Sequence, residues 1–180
     1  MKLMILDRDG VINEDSDDFI KTLDEFILLP GSLEAIKKLK QAGYLVAVAT
    51  NQSGISRGYL TADTLNAMHD KLNALLAESD VKIDGFFYCP HKPDDDCECR
   101  KPKPGLYQQI GQQFDMPLEG IPVIGDSLRD LEAARAVGAK PILVQTGKGL
   151  RTLAAGKGLE GVPVYENLLE AVDALLIEEP

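Results

Sequence analysis

The stretch Leu3–Asp15, "LMILDRDGVINED", is the part of the chain whose reading decides the fold. An apolar run ends on two aspartates one residue apart, Asp7 and Asp9, followed by Gly10. The run is strand-sized, and it stops on charges that must share one small volume. Asp-Gly is a common turn dipeptide, so an ordinary turn is the plain alternative. A calcium loop of the EF-hand type also begins with aspartates at alternate positions. Here its fifth position would be Val11 and its required sixth-position glycine would be Ile12, so that reading is rejected. The functional reading is a carboxylate pair at a strand end. One carboxylate attacks phosphorus while the other protonates the leaving oxygen and then activates water. A divalent cation would screen the two charges from each other.

Outward from this strand, strand-like and helix-like segments alternate along the chain. "KLMILD" is followed by "SLEAIKKLKQAG", with Leu33, Ile36 and Leu39 at helical spacing, Ser32 placed to cap and Gly43 to stop it. "YLVAVATN" reads as a second strand. "TADTLNAMHDKLNALLAES" reads as a helix with Thr61 as N-cap, and His69 falls mid-helix as a surface residue. The strand "IDGFFYC", the helix "PGLYQQIGQQF", the strand "IPVIGDS", the helix "LRDLEAARAVGA" and the strand "KPILVQT" come next. "VYENLLEAVDALL" adds a short strand and a closing helix. Alternation of this kind predicts an α/β fold: a Rossmann-like, doubly wound parallel sheet with helices on both faces. Strands rich in Val, Ile and Leu agree with burial on both sides. In such folds the ligand crevice lies beyond the carboxyl ends of the strands. The segments found there are "DRDG", "TNQSG", a cysteine loop with "RKPKPG", and "GDSLRD".

The 180 residues predict one domain spanning 1–180, large enough to bury roughly 70% of its unfolded surface. No apolar run approaches the roughly 20 residues that a membrane span needs, and the first apolar run is too short for a signal peptide. A cytoplasmic location is expected. With 19 basic and 29 acidic residues the net charge is −10, which argues against nucleic acid and anionic membranes as partners. A small anionic substrate remains compatible if a metal and a few cations reverse the field inside one cleft. The three cysteines, Cys89, Cys97 and Cys99, are an odd set clustered in one polar stretch, which suggests a metal before a disulfide framework.

That loop, "CPHKPDDDCECRKPKPG", is the most specific stretch. Cys89 and His91 flank one residue, Cys97 and Cys99 flank another, and together they make a Cys₃His set, the composition of a structural zinc site at 89–99. Buried reduced cysteines are the plain alternative, which the loop's polarity contradicts. In "GDSLRD", Asp126 or Ser127 can cap a helix and Asp130 suits its first turn. Asp7, Asp126 and the carbonyl of Asp9 would suit octahedral Mg²⁺. In "TNQSG", Thr50, Asn51, Gln52 and Ser53 offer hydroxyl, amide and backbone N–H groups that could cradle a phosphate. Arg100 and Lys101 follow the cysteine loop, in a chain that is otherwise acidic.

With these motifs in this order, the chain resembles the haloacid dehalogenase superfamily of aspartate-nucleophile phosphotransferases over nearly its whole length. The resemblance implies a Mg²⁺-dependent phosphatase for a small sugar phosphate. Asp7 would be the nucleophile, Asp9 the general acid/base, and Thr50 and Lys101 the groups stabilising the transferring phosphoryl. Asp7, Asp9 and Asp126 would hold Mg²⁺, and Cys89, His91, Cys97 and Cys99 would hold structural Zn²⁺. Asn51, Gln52, Ser53, Arg100, Asp15 and Asp18 would meet substrate. Two departures stand out: "DSDDF" replaces an expected Gly-Tyr pair, and Ser127 stands where lysine is common. The intervals from Asp7 to Thr50 and from Thr50 to Lys101 leave no room for a cap domain. A monomer is expected. Histidinol phosphate is the alternative substrate, and a zinc-stabilised binding domain without catalysis is the alternative from another class.

Overall fold

The computed structural model describes residues 1–178. In chain order its elements are β1 (Lys2–Leu6), α1 (Ser32–Gln41), β2 (Tyr44–Asn51), α2 (Ala62–Ala77), β3 (Gly85–Cys89) and α3 (Gly105–Phe114). There follow β4 (Pro122–Gly125), α4 (Leu128–Ala136), β5 (Lys140–Val144), α5 (Gly149–Ala155), β6 (Val164–Tyr165) and α6 (Leu168–Glu178). The strands form one six-stranded sheet in the order β3-β2-β1-β4-β5-β6, and every pairing is parallel.

Successive side chains of a strand point to opposite faces, and here both faces are covered. Met4 and Leu6 of β1 and Val46 and Val48 of β2 pack with Ile36, Leu39, Leu65, Met68 and Val172 from α1, α2 and α6. Leu3 and Ile5, with Ala47 and Ala49, face the other way onto Leu106, Tyr107, Ile110, Ala133 and Ala134 from α3 and α4. All of these residues are at most 1% exposed. Each large apolar side chain buried this completely stabilises the fold by roughly 1.5–3 kcal/mol. The unbroken apolar strands of the sequence are thus explained by two cores, one on each side of the sheet.

The strand order reverses direction at β1, whose neighbours are β2 and β4. That reversal opens a crevice beyond the strands' carboxyl ends. It places the end of β1, with Asp7 and Asp9, beside the end of β4, with Asp126. No cap domain interrupts the described residues, so the crevice is walled by loops.

Three local expectations change. Ser32 does not cap α1: Gly31 holds the N-cap position with no side-chain cap, and the Ser32 hydroxyl is buried without a partner. Helix α5 was not expected, because "GLRTLAA" is short and lacks apolar periodicity. His69 is not a surface residue but 4% exposed, its ring stacked on Phe86 at 4.1 Å. Thr61 does cap α2, its hydroxyl accepting from Thr64 N–H at 3.1 Å.

Candidate active site

Asp7 follows the last residue of β1, and its backbone N–H donates to Ile124 O of β4 at 2.9 Å. Its Oδ1 accepts from Arg8 N–H at 2.8 Å and from Lys101 Nζ at 3.0 Å. Lys101 also donates to Asp130 Oδ1 at 2.7 Å and to Ala49 O at 2.8 Å, and is only 2% exposed. A buried ammonium is tolerated because all three of its donors are satisfied and two anions face it. Burial alone would lower its pKa. The carboxylates of Asp130 and Asp7 outweigh burial, raising it well above the usual lysine range.

The backbone of Lys101 is held independently of its ammonium. Asn51 Nδ2 donates to Lys101 O at 3.1 Å, and Lys101 N–H donates to Asn51 Oδ1 at 3.0 Å. The side-chain amide thus imitates a paired strand, joining the end of β2 to the loop after the cysteines. Asn51, expected to meet substrate, has both polar atoms engaged in this clamp.

Asp130 closes a capping box on α4 with Ser127. Its Oδ2 accepts from the N–H groups of Asp126 at 3.3 Å and Ser127 at 3.2 Å, and from Ser127 Oγ at 3.0 Å. This tucked position requires Gly125, since a Cβ there would run into the Asp130 side chain. Burial raises the Asp130 carboxyl, but Lys101 outweighs it and holds the group below the usual range. Asp126 is pushed up to about 6, by burial first and then by Asp130. Asp7 is raised as well, again by burial and then by Asp130. Gly10 (φ +88°) lies so close to Asp126 that a Cβ would collide with its carboxylate. The glycine of "DRDG" therefore serves the approach of this strand end to Asp126 as well as the turn.

Asp7, Asp126 and Asp130 bring carboxylate oxygens within 4.8 Å of one another. Three carboxylates gather at one place and a single buried ammonium contacts two of them, an excess of negative charge that a divalent cation fits. Asp130 has its oxygens committed to Lys101 and to the capping box, which leaves Asp7 and Asp126 as the carboxylates free for a metal.

The Asp9 carboxylate turns elsewhere. Its Oδ1 accepts from Arg8 Nε and Asn13 Nδ2, each at 2.9 Å, and pairs with Arg8 Nη2 at 2.7 Å. Its Oδ2 accepts from Gln52 Nε2 at 3.1 Å. Burial would raise this carboxyl, but Arg8, Asn13 and Gln52 outweigh it and hold Asp9 low. Only the Asp9 backbone carbonyl is left for a metal role. Arg8 is fully buried, its guanidinium 5.1 Å from the Phe26 ring centroid and its Nη1 3.3 Å from His69 Nε2. Arginine only donates, so His69 Nε2 accepts and the ring is neutral. Burial and Arg8 lower the His69 pKa to about 3.

Gln52 also donates to Thr50 Oγ1 at 2.8 Å. It therefore couples the acid/base candidate to the phosphoryl-stabilising candidate. Ser53 Oγ accepts from Arg57 Nε at 3.3 Å. These groups line one cavity of about 270 Å³ together with Asp7, Asp15, Arg100, Lys101 and Asp126. That volume lies near the lower end for small-molecule sites, which suits a metabolite. Asp15 is paired with Lys148 Nζ at 2.7 Å. Asp18 is exposed and is not among the residues lining the cavity. Arg57, Arg129 and Lys148 also line it, and none of them was singled out in the sequence. For Arg129, a cation in the first turn of a helix was the available signal.

The donor atoms of Cys89, His91, Cys97 and Cys99 all lie within 4.8 Å of one another. Cys89 is pushed up to about 12, by burial first and then by Cys99. Three crowded sulfurs and one imidazole fit a zinc ion, which would remove the thiol protons and relieve that crowding.

The comparisons with known proteins agree with this geometry. Residues 2–127 match the family model described as Polynucleotide kinase 3 phosphatase, and residues 98–171 match the one described as HAD-hydrolase-like. A D-glycero-β-D-manno-heptose-1,7-bisphosphate 7-phosphatase from Pseudomonas aeruginosa is 58% identical, over 97% of each chain. The crystal structure of D,D-heptose 1,7-bisphosphate phosphatase from Bordetella bronchiseptica, complexed with magnesium and phosphate, is 54% identical. It covers 99% of each chain with a TM-score of 0.96. The corresponding enzyme from Burkholderia thailandensis is 45% identical, covers 98% of this chain and 99% of its own, and has a TM-score of 0.76. With relatives this similar over this much of its length, the chain belongs to the D-glycero-β-D-manno-heptose-1,7-bisphosphate 7-phosphatase family of the haloacid dehalogenase superfamily.

Proposed function

We propose that this enzyme, a phosphoric monoester hydrolase, removes the 7-phosphate of D-glycero-D-manno-heptose 1,7-bisphosphate and leaves the 1-phosphate in place. The resemblance puts that step in the supply of lipopolysaccharide-core precursors. The observation that carries the reading is the contact of Asp7 with Lys101 at 3.0 Å, inside a crevice that Asp126 closes from the end of β4.

Asp7 attacks phosphorus, a P–O bond to the carboxylate forms, and the bond to the sugar oxygen breaks. Asp9 supplies the proton that this oxygen needs. Asp9 then takes a proton from water as the water attacks phosphorus, which releases inorganic phosphate and restores Asp7. In the geometry above Asp9 is the ionised form, ready as the base. Loosening its bonds to Asn13 and Gln52 is what would let it carry a proton. Thr50 and Lys101 offer an oxygen-binding hydroxyl and a fixed positive charge to the transferring phosphoryl group, already oriented before substrate arrives. Asp7, Asp126 and the carbonyl of Asp9 would hold Mg²⁺, which supplies charge neutralisation at the phosphoryl oxygens. Cys89, His91, Cys97 and Cys99 would hold Zn²⁺, ordering the loop that carries Arg100 and Lys101.

We read the protein as a monomer and as cytoplasmic, and the second part of that reading fits three cysteines without a disulfide. Among the described residues no helix is long and apolar enough to cross a membrane. Phosphate release from a panel containing heptose bisphosphate, histidinol phosphate and simple sugar monophosphates, with and without Mg²⁺, tests the proposal. Preference for histidinol phosphate would replace the substrate, and no turnover of any member would favour a binding domain.

A further inference from the structure

We propose that His69 is a positioning residue for the reaction: it locks Arg8 from behind the site, and Arg8 pins the Asp9 carboxylate so that Oδ2 is the oxygen that moves the proton. The proposal deepens the reading of Asp9 as the acid/base given above and rests on it.

The two oxygens of Asp9 are not equivalent. Oδ1 meets Arg8 Nε and Asn13 Nδ2 at 2.9 Å each and Arg8 Nη2 at 2.7 Å. A carboxylate oxygen has two lone pairs, so Oδ1 has none to spare. Oδ2 accepts from Gln52 Nε2 at 3.1 Å and keeps a lone pair. Asp9 lines the cavity, and the oxygen with capacity left is the one that can protonate the sugar oxygen and later take a proton from water. Asn13 and Gln52 are neutral amides whose bonds can loosen as the proton moves. Arg8 is the fixed pivot.

What holds Arg8 lies behind the cavity, since neither Arg8 nor His69 lines it. The arginine is fully buried, its guanidinium 5.1 Å from the Phe26 ring centroid. Nη1 reaches away from Asp9, to His69 Nε2 at 3.3 Å and Met68 Sδ at 3.6 Å, both on α2. The His69 ring lies flat against Phe86 of β3, with 4.1 Å between centroids and 4° between planes. Position 69 falls on the apolar face of α2 with Leu65, Met68, Leu72 and Leu76, where packing alone would take another leucine. A buried arginine–aspartate pair is likewise often no more stable than apolar side chains of the same volume. Stability therefore accounts for neither residue. The orientation of Asp9 accounts for both, because His69 gives a guanidinium that can only donate an acceptor at its far nitrogen.

The test is the steady-state kcat and KM of the full chain on heptose 1,7-bisphosphate with Mg²⁺, with the melting temperature of each variant measured alongside. Absent wild-type turnover would defeat the functional reading, and near-wild-type turnover by Asp9→Asn would remove Asp9 as the acid/base; either defeats the proposal with it. Given a dependence on Asp9, His69→Leu should lower kcat by about 10- to 100-fold, the scale of misplacing a catalytic group, and leave KM unchanged. His69→Gln, which keeps an acceptor toward Arg8, should recover most of that loss, as a role in packing alone would not allow. Arg8→Lys keeps the charge and loses the fork, so it should lower kcat as well. Adding His69→Leu to Arg8→Lys should then cost little more, because His69 acts through the fork. Should His69→Leu fail to fold, Phe86→Leu decides the matter, since it removes the stacking surface and no polar group: a fall in kcat at constant KM supports the lock, and wild-type kcat overturns it. Unchanged kcat in His69→Leu, equal losses in His69→Leu and His69→Gln, or a rise in KM with kcat intact would overturn the positioning role while leaving the phosphatase reading standing.

Discussion

Replacing Lys101 by methionine removes one positive charge from a place where three acceptors depend on it. Methionine keeps most of the stem's length and packing, so the perturbation is mainly electrostatic. The lost contacts are those to Asp7 at 3.0 Å, Asp130 at 2.7 Å and Ala49 O at 2.8 Å. Removing one partner of a buried ion pair typically costs about 3–5 kcal/mol, because the remaining charge stays buried and unpaired. For a domain of this size each kcal/mol moves Tm by about 2–4 °C, so the variant should melt roughly 6–20 °C lower at pH 7. The pH dependence follows from the signs. Lys101 holds Asp130 below its ordinary pKa, so this contribution is present above the unfolded-state pKa and is lost as pH falls through the folded one. The gap between wild type and Lys101→Met should therefore narrow in acid. Thermal unfolding followed by circular dichroism in buffer without Mg²⁺ or chelator, at neutral and acidic pH, measures it without interference from Mg²⁺ and with the zinc loop intact. Adding Asp130→Asn to Lys101→Met should restore part of the stability, because it removes a stranded charge. Phosphate release should be severely impaired in either variant. Wild-type melting at pH 7 would refute the reasoning, since it would mean that Lys101 carries no buried ion pair.

Asp7→Asn is nearly isosteric but cannot attack phosphorus, so turnover should vanish while the melting curve stays folded and cooperative; residual activity near wild type would remove Asp7 as nucleophile. Cys97→Ser should lose zinc by metal analysis and lose activity with it while the sheet remains folded, because Cys97 is only half-buried and packs at the edge of one core, while Cys89 alone of the four belongs to that core; an unchanged zinc content would refute the ligand set. His69 has its pKa lowered to about 3 in the fold, so the unfolded chain binds the extra proton between that value and about 6.5, and stability falls as pH falls through this window. His69→Gln, which keeps an acceptor for Arg8 and does not titrate, should flatten the acid limb by roughly 3–5 kcal/mol in urea unfolding, and an unchanged limb would show that His69 is protonated in the fold.

The sheet was legible because each strand is an unbroken apolar run that ends on polar chemistry, and burial on both faces is what such runs require. The cysteine loop was legible because its residue types are too polar for a core yet include four metal donors. What was not legible depends on pairing through space. Arg8 sits between the two aspartates of "DRDG", in the bend that follows β1, and its side chain runs into the interior. There it is buried with His69 and takes hold of the Asp9 carboxylate. Nothing local says that a mid-helix histidine will stack on Phe86 beneath that arginine. The commitment of Asp130 to Lys101, and of Asn51 to the Lys101 backbone, likewise joins residues far apart in sequence. The helix α5 escaped because glycines flank it and its residues carry no apolar period. The loop after "DRDGVIN" was expected to offer Asp15 and Asp18 to substrate; Asp15 lines the cavity but is tied to Lys148, and Asp18 lies outside it.

The central claim is that Asp7 directs phosphoryl transfer from one particular end of a heptose bisphosphate. Its most direct test is ³¹P NMR of the wild-type reaction on D-glycero-D-manno-heptose 1,7-bisphosphate with Mg²⁺, with Asp7→Asn run alongside. The account predicts that the 7-phosphate resonance is replaced by inorganic phosphate while the 1-phosphate resonance persists, and that neither changes with the variant. Loss of the 1-phosphate first, or the same spectra from Asp7→Asn, would contradict it.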